Sequence, residues 1–412
     1  MNILHLVHGY PPAIGGTEFL FQQISERLVA QYDDQVTVFT THAYNTFLFI
    51  DPGQPAIPSC ENEENNEVKI RRFAVNNRIA PRIAGLQNKA FDNQWPFNDV
   101  LRTLYHGPIS WPMFTAIRHA QADVLAASAF PLLHMYYATL GKRFNHIPLV
   151  LCGALHPVDR WSFDRPIIYK AIMACDMYLA YTTFERDHVI AKGASPDKVR
   201  VASPGVDVKP FQTANGLALR RRFGWENTPL VAFVGQQSAH KGIDTLYHAM
   251  RLVWQQLPEA RLIIAGGRTA YSSQLDRILE SFSSQERDRI QHIVNFTEEE
   301  KPQIFAACDV FVSPSGAESF GLTFVEAWAA GKPVIGCRSG AISSVIDEWQ
   351  DGLLIHYRDV PQLAAAILEL LTDDKLCKQM GERGRNKVLS QYTWDIAVAR
   401  FRKAYEETAN RK

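Results

Sequence analysis

The alternation of element types along the chain constrains its fold most. Short runs rich in Val, Ile, Leu and Phe recur between longer amphipathic stretches, and the pattern restarts in the second half. Parallel neighbouring strands must be joined by long crossovers, usually helices, so this rhythm predicts parallel α/β layers. In the first half strands are expected at Ile3–His8, Gln35–Thr40, Val68–Phe73, Asp123–Ala127, Pro148–Cys152, Met177–Tyr181 and Lys198–Ala202, with helices over Gly16–Gln31, Leu132–Lys142 and Phe184–Lys192. In the second half strands are expected at Leu230–Val234, Arg261–Ala265, Ile290–Val294, Val310–Ser313, Pro333–Gly336 and Leu353–Ile355. The helices between them are Ile243–Gln256, Ser272–Phe282, Leu322–Ala330 and Val360–Leu371. Pro204, Gly205 and Pro210 punctuate the junction at Ser203–Ala214. With 412 residues the chain exceeds the ~250–300 at which a single core stops growing. Two domains follow, 1–207 and 208–390. A final helical segment, 391–412, carries Trp394, Ala397, Val398, Phe401 and Tyr405 at helical spacing and reads as core packing.

Charge and cysteine content narrow the function. Lys plus Arg equals Asp plus Glu at 43 each, which argues against a nucleic-acid partner but leaves small anions open. The six cysteines are scattered, without zinc spacing, and read as reduced core thiols. The N-terminus reads as a first strand rather than a signal peptide, and the longest apolar stretch, Val124 to Leu140, is broken by Pro131 and His134. A cytoplasmic protein is expected. Glu61–Glu67 reads as a short acidic loop.

One segment departs from the pattern. Between Lys69 and Arg118, eight basic residues (Lys69, Arg71, Arg72, Arg78, Arg82, Lys89, Arg102, Arg118) face only Asp92 and Asp99, interleaved with aromatics and prolines. It reads as a basic, aromatic, loop-rich insertion. Two uses are open: contact with an acidic or lipid-linked acceptor or the inner membrane surface, or internal packing of the aromatics.

Gly15-Gly16-Thr17-Glu18 follows the first strand and opens a helix. Glycines admit close backbone approach, and helix N-termini suit phosphates. The same residues also read as a tight turn with Thr17 as cap. In the second half Gly235 ends a strand, followed by Gln236 and then His240-Lys241-Gly242. Ala265-Gly266-Gly267 ends another, and Ser315–Leu322 follows a third. Parallel sheets bind ligands outside the carboxyl ends of their strands. No dinucleotide fingerprint or Walker loop is present.

Glu318, seven residues, then Glu326, with Phe320-Gly321-Leu322 inside, resembles the Glu-x7-Glu motif of the retaining glycosyltransferases of family 4, the glycosyl transferases group 1. Other pieces match in order. These are Pro11-Pro12…Gly15-Gly16-x-Glu18, Ser203-Pro204-Gly205-Val206-Asp207, Val234-Gly235…Lys241-Gly242 and Ala330-Gly331-Lys332-Pro333-Val334. The resemblance covers nearly the whole chain, most weakly Asn45–Gln121. It implies the GT-B fold: two Rossmann-like domains with parallel sheets facing across a cleft, an acceptor-binding first half and a donor-binding second half, with the C-terminal helix of 391–412 packing back on the first domain through Trp394 and Tyr405.

The resemblance also implies roles. Glu326 would accept from the donor ribose hydroxyls as a bidentate partner, and Glu318 would contact the transferred sugar. Backbone N–H groups around Phe320, Gly321, Leu322 and Thr323 would meet sugar or diphosphate oxygens, and Lys241 the leaving diphosphate. Gly15 and Gly16 would approach the same phosphates, and His156 would touch the donor sugar. The family usually carries Arg where this chain has Gln236, beside Gly235. A neutral donor there forfeits ~1–2 kcal/mol, with His240, Arg268 or Arg338 as compensators. Retention by front-side attack needs no protein nucleophile, and the missing Asp-x-Asp pair fits a metal-independent site. No cofactor is expected; the nucleoside diphosphate sugar is a co-substrate. The partners are that donor and a glycan, lipid-linked or small-molecule acceptor in cell-surface polysaccharide or glycoconjugate synthesis. The alternatives are another GT-B enzyme such as an epimerase or phosphorylase, a nucleotide-sugar-binding partner without turnover, and a dinucleotide oxidoreductase.

Overall fold

The computed structural model describes residues 1–13, 15–58 and 63–411. Cys60 and the start of the acidic stretch, Glu61 and Asn62, lie outside them. The chain divides into one unit of Met1–Ser203 with Ala397–Lys412 and a second of Pro204–Ile396. Residues 204–207, placed by sequence in the first domain, and 391–396, placed in the last segment, thus belong to the second unit. There Val206 N–H donates to the Tyr392 carbonyl at 2.8 Å and Val206 bridges Thr393.

The first unit holds β1 (Asn2–Val7), β2 (Gln35–Thr41), β3 (Glu63–Asn65), β4 (Val68–Phe73), β5 (Val124–Ser128), β6 (Leu149–Cys152), β7 (Met177–Ala180) and β8 (Val199–Val201). Their order is β3-β4-β2-β1-β5-β6-β7-β8, parallel except for β3 against β4. Its helices are α1 (Gly16–Tyr32), α2 (Ile79–Asp92), α3 (Asn98–His106), α4 (Trp111–Arg118), α5 (His134–Asn145), α6 (Pro166–Ala174) and α7 (Thr183–Ala191). Two expectations fail here. The acidic stretch is not all loop, because Glu63–Asn65 pairs as an edge strand. The basic segment is not loop-rich: its prolines sit at helix starts and between helices α2, α3 and α4, where a missing N–H costs little.

The second unit holds α8 (Val208–Thr213), α9 (Gly216–Phe223), β9 (Leu230–Val234), α10 (Ile243–Gln256), β10 (Arg261–Ala265), α11 (Ser272–Glu280), α12 (Ser284–Arg287), β11 (Ile290–Ile293), α13 (Lys301–Ala307), β12 (Val310–Ser313), α14 (Leu322–Ala329), β13 (Val334–Cys337), α15 (Ile342–Val345), β14 (Gly352–Ile355), α16 (Val360–Thr372) and α17 (Asp374–Gln391). Its all-parallel sheet runs β11-β10-β9-β12-β13-β14. The central strands are buried on both faces, which is why they read as unbroken apolar runs. Trp328 of α14 is fully buried; its indole N–H donates to the Asp351 carbonyl at 2.8 Å, and the Lys387 ammonium lies 5.0 Å over its ring. These contacts fix the helix that carries Glu326. Cys152, Cys175, Cys308 and Cys337 are buried free thiols, and Cys377 is partly buried and free.

The last helix, α18 (Trp394–Ala409), buries its aromatic stripe. From Ala397 onward it belongs to the first unit, so Tyr405 lies there and Trp394 does not. Tyr405 Oη lies 3.2 Å from His5 Nε2, while His5 Nδ1 meets Ser25 Oγ at 2.7 Å. Arg402 and the N-terminal ammonium share Asp34. Burial holds the His5 imidazole down from 6.5 to about 3. Folded His5 therefore stays neutral where the unfolded chain takes up a proton. Its contribution to stability is complete above pH 6.5 and is lost as the pH falls from there toward 3. The slope is at most about 1.4 kcal/mol per pH unit. Thermal unfolding between pH 7 and pH 5 should show a shallower acid loss in His5→Gln than in the wild type, even though the variant melts lower at pH 7. Equal slopes would exclude His5 as a source of acid sensitivity.

Candidate functional site

In the second unit the sheet reverses its order between β9 and β12, and open α/β sheets bind ligands outside that point. The turns leaving these two strands are tied backbone to backbone. Gly316 N–H donates to the His240 carbonyl at 2.8 Å, and Ser315 Oγ donates to the same oxygen at 3.3 Å. Gly242 adopts φ +69°, and a Cβ there would sit 2.3 Å from the Pro314 carbonyl oxygen, so only glycine allows this approach. Ser339 Oγ secures the Gly316 carbonyl at 2.8 Å.

This scaffold brings Lys241 and Glu318 together. Nζ lies 2.6 Å from Oε1, and both side chains remain partly exposed. The N–H groups of Leu322 and Thr323 open α14 behind Gly321, its N-cap, and first-turn N–H groups have no intrahelical acceptor. Phe320 contributes differently from its neighbours: its ring is buried against Tyr392, with centroids 5.5 Å apart, so its backbone alone is available to a ligand. Gly235 N–H is committed to the Ala265 carbonyl at 2.9 Å. The side chain of Gln236 is exposed, and Gln237 beside it is buried with Nε2 unpartnered. Among the compensators suggested by sequence, Arg268 is engaged by Asp276 and Arg338 by Glu348. His240 stays on the site turn, and burial, then Lys241, lowers its imidazole from the ordinary value.

Glu326 is 4% exposed, and its Oε1 lies 2.5 Å from Lys301 Nζ while Oε2 has no partner. Burial raises its carboxyl above the usual range, and Lys301 works against that rise. Oε1 of the expected bidentate pair is thus already engaged by Lys301. Sequence reading missed Lys301, because in Glu298-Glu299-Glu300-Lys301 it looks like one more charge on a solvated run.

The first unit places its candidates separately. Gly15 caps α1 without any side-chain cap bond, so Thr17 is not the cap. A Cβ at Gly15 would lie 2.3 Å from Glu18 Oε2, whereas one at Gly16 would meet nothing within 4 Å; Gly16 is the open position. Glu18 is buried and accepts from His8 Nε2 at 2.9 Å. Burial works to raise its carboxyl, but His8 outweighs this and the net shift is downward. His8 stands 5.9 Å from the ring of His134, whose Nε2 lies 2.6 Å from the Ser128 carbonyl. Burial holds His134 at about 3, so this ring is neutral.

His156 follows β6 on the Gly153-Ala154-Leu155 turn and packs edge-on against Phe163 at 5.0 Å. Glu185 of α7, another residue missed by sequence, holds that turn. It accepts from Leu155 N–H at 3.1 Å, Tyr181 N–H at 2.8 Å and Tyr178 Oη at 2.7 Å. Burial raises its carboxyl to about 7. The only sequence signal was Thr182-x-x-Glu185, which looks like a capping box. Thr182 does cap Glu185 N–H, but the carboxylate turns inward to the His156 turn.

Of the basic segment, Arg72 is bound to Glu63, and Arg71 lies over Phe39 and Phe73. Arg102 is buried on Asp99, and Arg118 lies over Phe144. These four serve packing. No helix among the described residues is long and apolar enough to cross a membrane, and none of their His, Cys, Asp and Glu side chains gather three together as a metal-holding group.

The family model described as glycosyl transferases group 1 matches residues 218–387. A D-inositol 3-phosphate glycosyltransferase of Stackebrandtia nassauensis is 28% identical over 71% of this chain and 67% of its own. One of Xylanimonas cellulosilytica is 30% identical over 71% of this chain and 70% of its own. For one of Corynebacterium aurimucosum, 31% identical, the match spans about half of each chain, 54%. Among solved structures, Anabaena HepE in complex with UDP aligns with a TM-score of 0.73 at 18% identity, over 99% of this chain and 100% of that one. Sucrose-phosphate synthase from Thermosynechococcus elongatus aligns with a TM-score of 0.73 at 19% identity, over 99% of both chains. The fold is the GT-B class, and the chain belongs to the glycosyl transferases group 1 family.

Proposed function

We propose that this protein is a retaining hexosyltransferase. It moves a sugar from a nucleoside diphosphate sugar to a glycan, lipid-linked or small-molecule acceptor. The Lys241–Glu318 contact at the strand-order reversal carries this reading, because it sets a phosphate-binding cation beside a hydroxyl-binding carboxylate. Relatives named as inositol-phosphate glycosyltransferases and a UDP-bound structure of the same fold support it. In the proposed step the acceptor oxygen bonds to the anomeric carbon as its bond to the diphosphate breaks, and a diphosphate oxygen takes the acceptor proton. Lys241 stabilises the charge that develops on the leaving group. Glu318 holds the transferred sugar, with N–H groups of Leu322 and Thr323 on oxygens beside it. In the first unit, His156 is the proposed sugar contact and Gly16 the proposed phosphate contact. No step requires a resident cofactor.

A donor at ~100 times its dissociation constant should stabilise the protein by about 2.7 kcal/mol. A melting-temperature panel of UDP-, GDP- and ADP-sugars checks this, and no shift with any of them would end the donor-site reading. Glu326→Ala should weaken nucleotide binding about ten-fold or more, by loss of a charge-assisted hydrogen bond. Glu318→Ala should instead reduce transfer more than binding. Wild-type behaviour of both variants would contradict these roles.

The exposed, uncharged Gln236 favours a second reading, a donor-binding subunit without turnover. Gln236→Arg adds a charged phosphate contact and should tighten donor binding by ~1–2 kcal/mol. Turnover of the bound donor by the wild type would eliminate the second reading, and binding without transfer or hydrolysis would favour it.

We also propose that α2 meets anionic lipid. Arg78, Arg82, Leu86 and Lys89 are exposed at helical spacing along it, unlike the arginines engaged in packing. Neutralising Arg78, Arg82 and Lys89 together should abolish flotation with anionic vesicles. Wild-type protein that fails to float, or a variant that floats equally, would refute the contact.

A further inference from the structure

We infer that Lys301 is a positioning residue of the donor site: it holds Oε1 of Glu326, and so the carboxylate, in place for the ribose of a nucleoside diphosphate, while Oε2 is left without a protein partner. This inference rests on the donor-site reading above and adds a residue to it. Lys301 opens α13, which packs against α14. Its side chain is 17% exposed, whereas that of Glu298, in the same acidic run, is 75% exposed. The run is thus solvated except at the residue that turns inward. Nζ lies 2.5 Å from Glu326 Oε1 and 3.5 Å from Glu298 Oε2.

A carboxylate this deeply buried needs a compensating cation, because desolvation disfavours its charged form. Among the described residues, the charged groups acting on Glu326 are Lys301, which favours ionisation, and Glu298, which opposes it. On Lys301 itself burial works against the charge, but the attraction and hydrogen bond of Glu326 outweigh it, so the ammonium is held more firmly than an ordinary lysine. The anion of an ion pair is ordinarily pulled down. Here the carboxyl goes up, because its burial exceeds what one partner returns. Its charge therefore depends on Lys301.

The second observation is the orphaned oxygen. Buried acceptors are normally bonded, and Glu326 Oε2 is not. It sits on the helix whose first turn belongs to the candidate site, so a ligand hydroxyl is the missing donor.

The test measures binding by calorimetry, at pH 6 and pH 8, of whichever of UDP, GDP and ADP binds tightest. The proteins are wild type, Lys301→Met, Lys301→Arg, Glu326→Gln and the double variant Lys301→Met/Glu326→Gln, with melting curves confirming folding. Lys301→Met should weaken binding about ten-fold at pH 6 and less at pH 8, since its unassisted carboxyl ionises only at higher pH. Lys301→Arg should recover most of the affinity. The two single losses should not add in the double variant, because both remove one arrangement. A Lys301→Met protein that binds like wild type at both pH values, or losses that add fully, would overturn the inference while leaving the donor site standing. If the wild type binds none of the three nucleotides, the donor-site reading falls and the inference falls with it.

Discussion

The arrangement of the second unit depends on one backbone interaction: the turn after β9 lies against the turn after β12. The Gly316 N–H to His240 carbonyl bond and the close approach of Gly242 to Pro314 fix these turns at the place where strand order reverses. Side chains projecting from them have few alternative positions. Lys241 and Glu318 meet because their backbones are already joined, and α14 begins beside them for the same reason. A cation, a carboxylate and a helix N-terminus then converge without any of them being selected by a long flexible segment.

Buried carboxylates provide a second organising element, used differently in the two units. Glu326 is paired with a lysine and keeps an oxygen without a partner. Glu185 is surrounded by N–H and hydroxyl donors and holds a turn in place. Each is costly to bury, and the cost is offset by a different means. Local hydrogen-bond supply, rather than residue type, distinguishes the two.

Much of the architecture could be read from residues alone. β9, β10 and β12 fall where the apolar runs placed them, since a strand buried on both faces has to be continuously apolar, while β4 and α10 were legible from their alternating and helical periodicity. The helices α2, α3 and α4 were not legible, because prolines and basic residues at their starts resemble loop punctuation unless the surrounding contacts are known. Arg72 and Arg102 looked available for an acidic partner, and both are consumed by nearby carboxylates. Lys301 was hidden for the opposite reason: a charge run reads as solvated, and only the packing of α13 on α14 turns one member inward.

By itself, the sequence determined that the chain makes two parallel α/β units, that glycine-rich turns follow their strands, and that Glu318, Glu326 and Lys241 stand at those turns. Periodicity and local turn chemistry are enough for this, because they act between residues close in the chain. The tertiary structure alone decided which charges oppose one another: Lys241 with Glu318, Lys301 with Glu326, and Glu185 with the turn bearing His156. Burial and ion pairing depend on distance in space and on excluded water, and neither is set until distant segments pack.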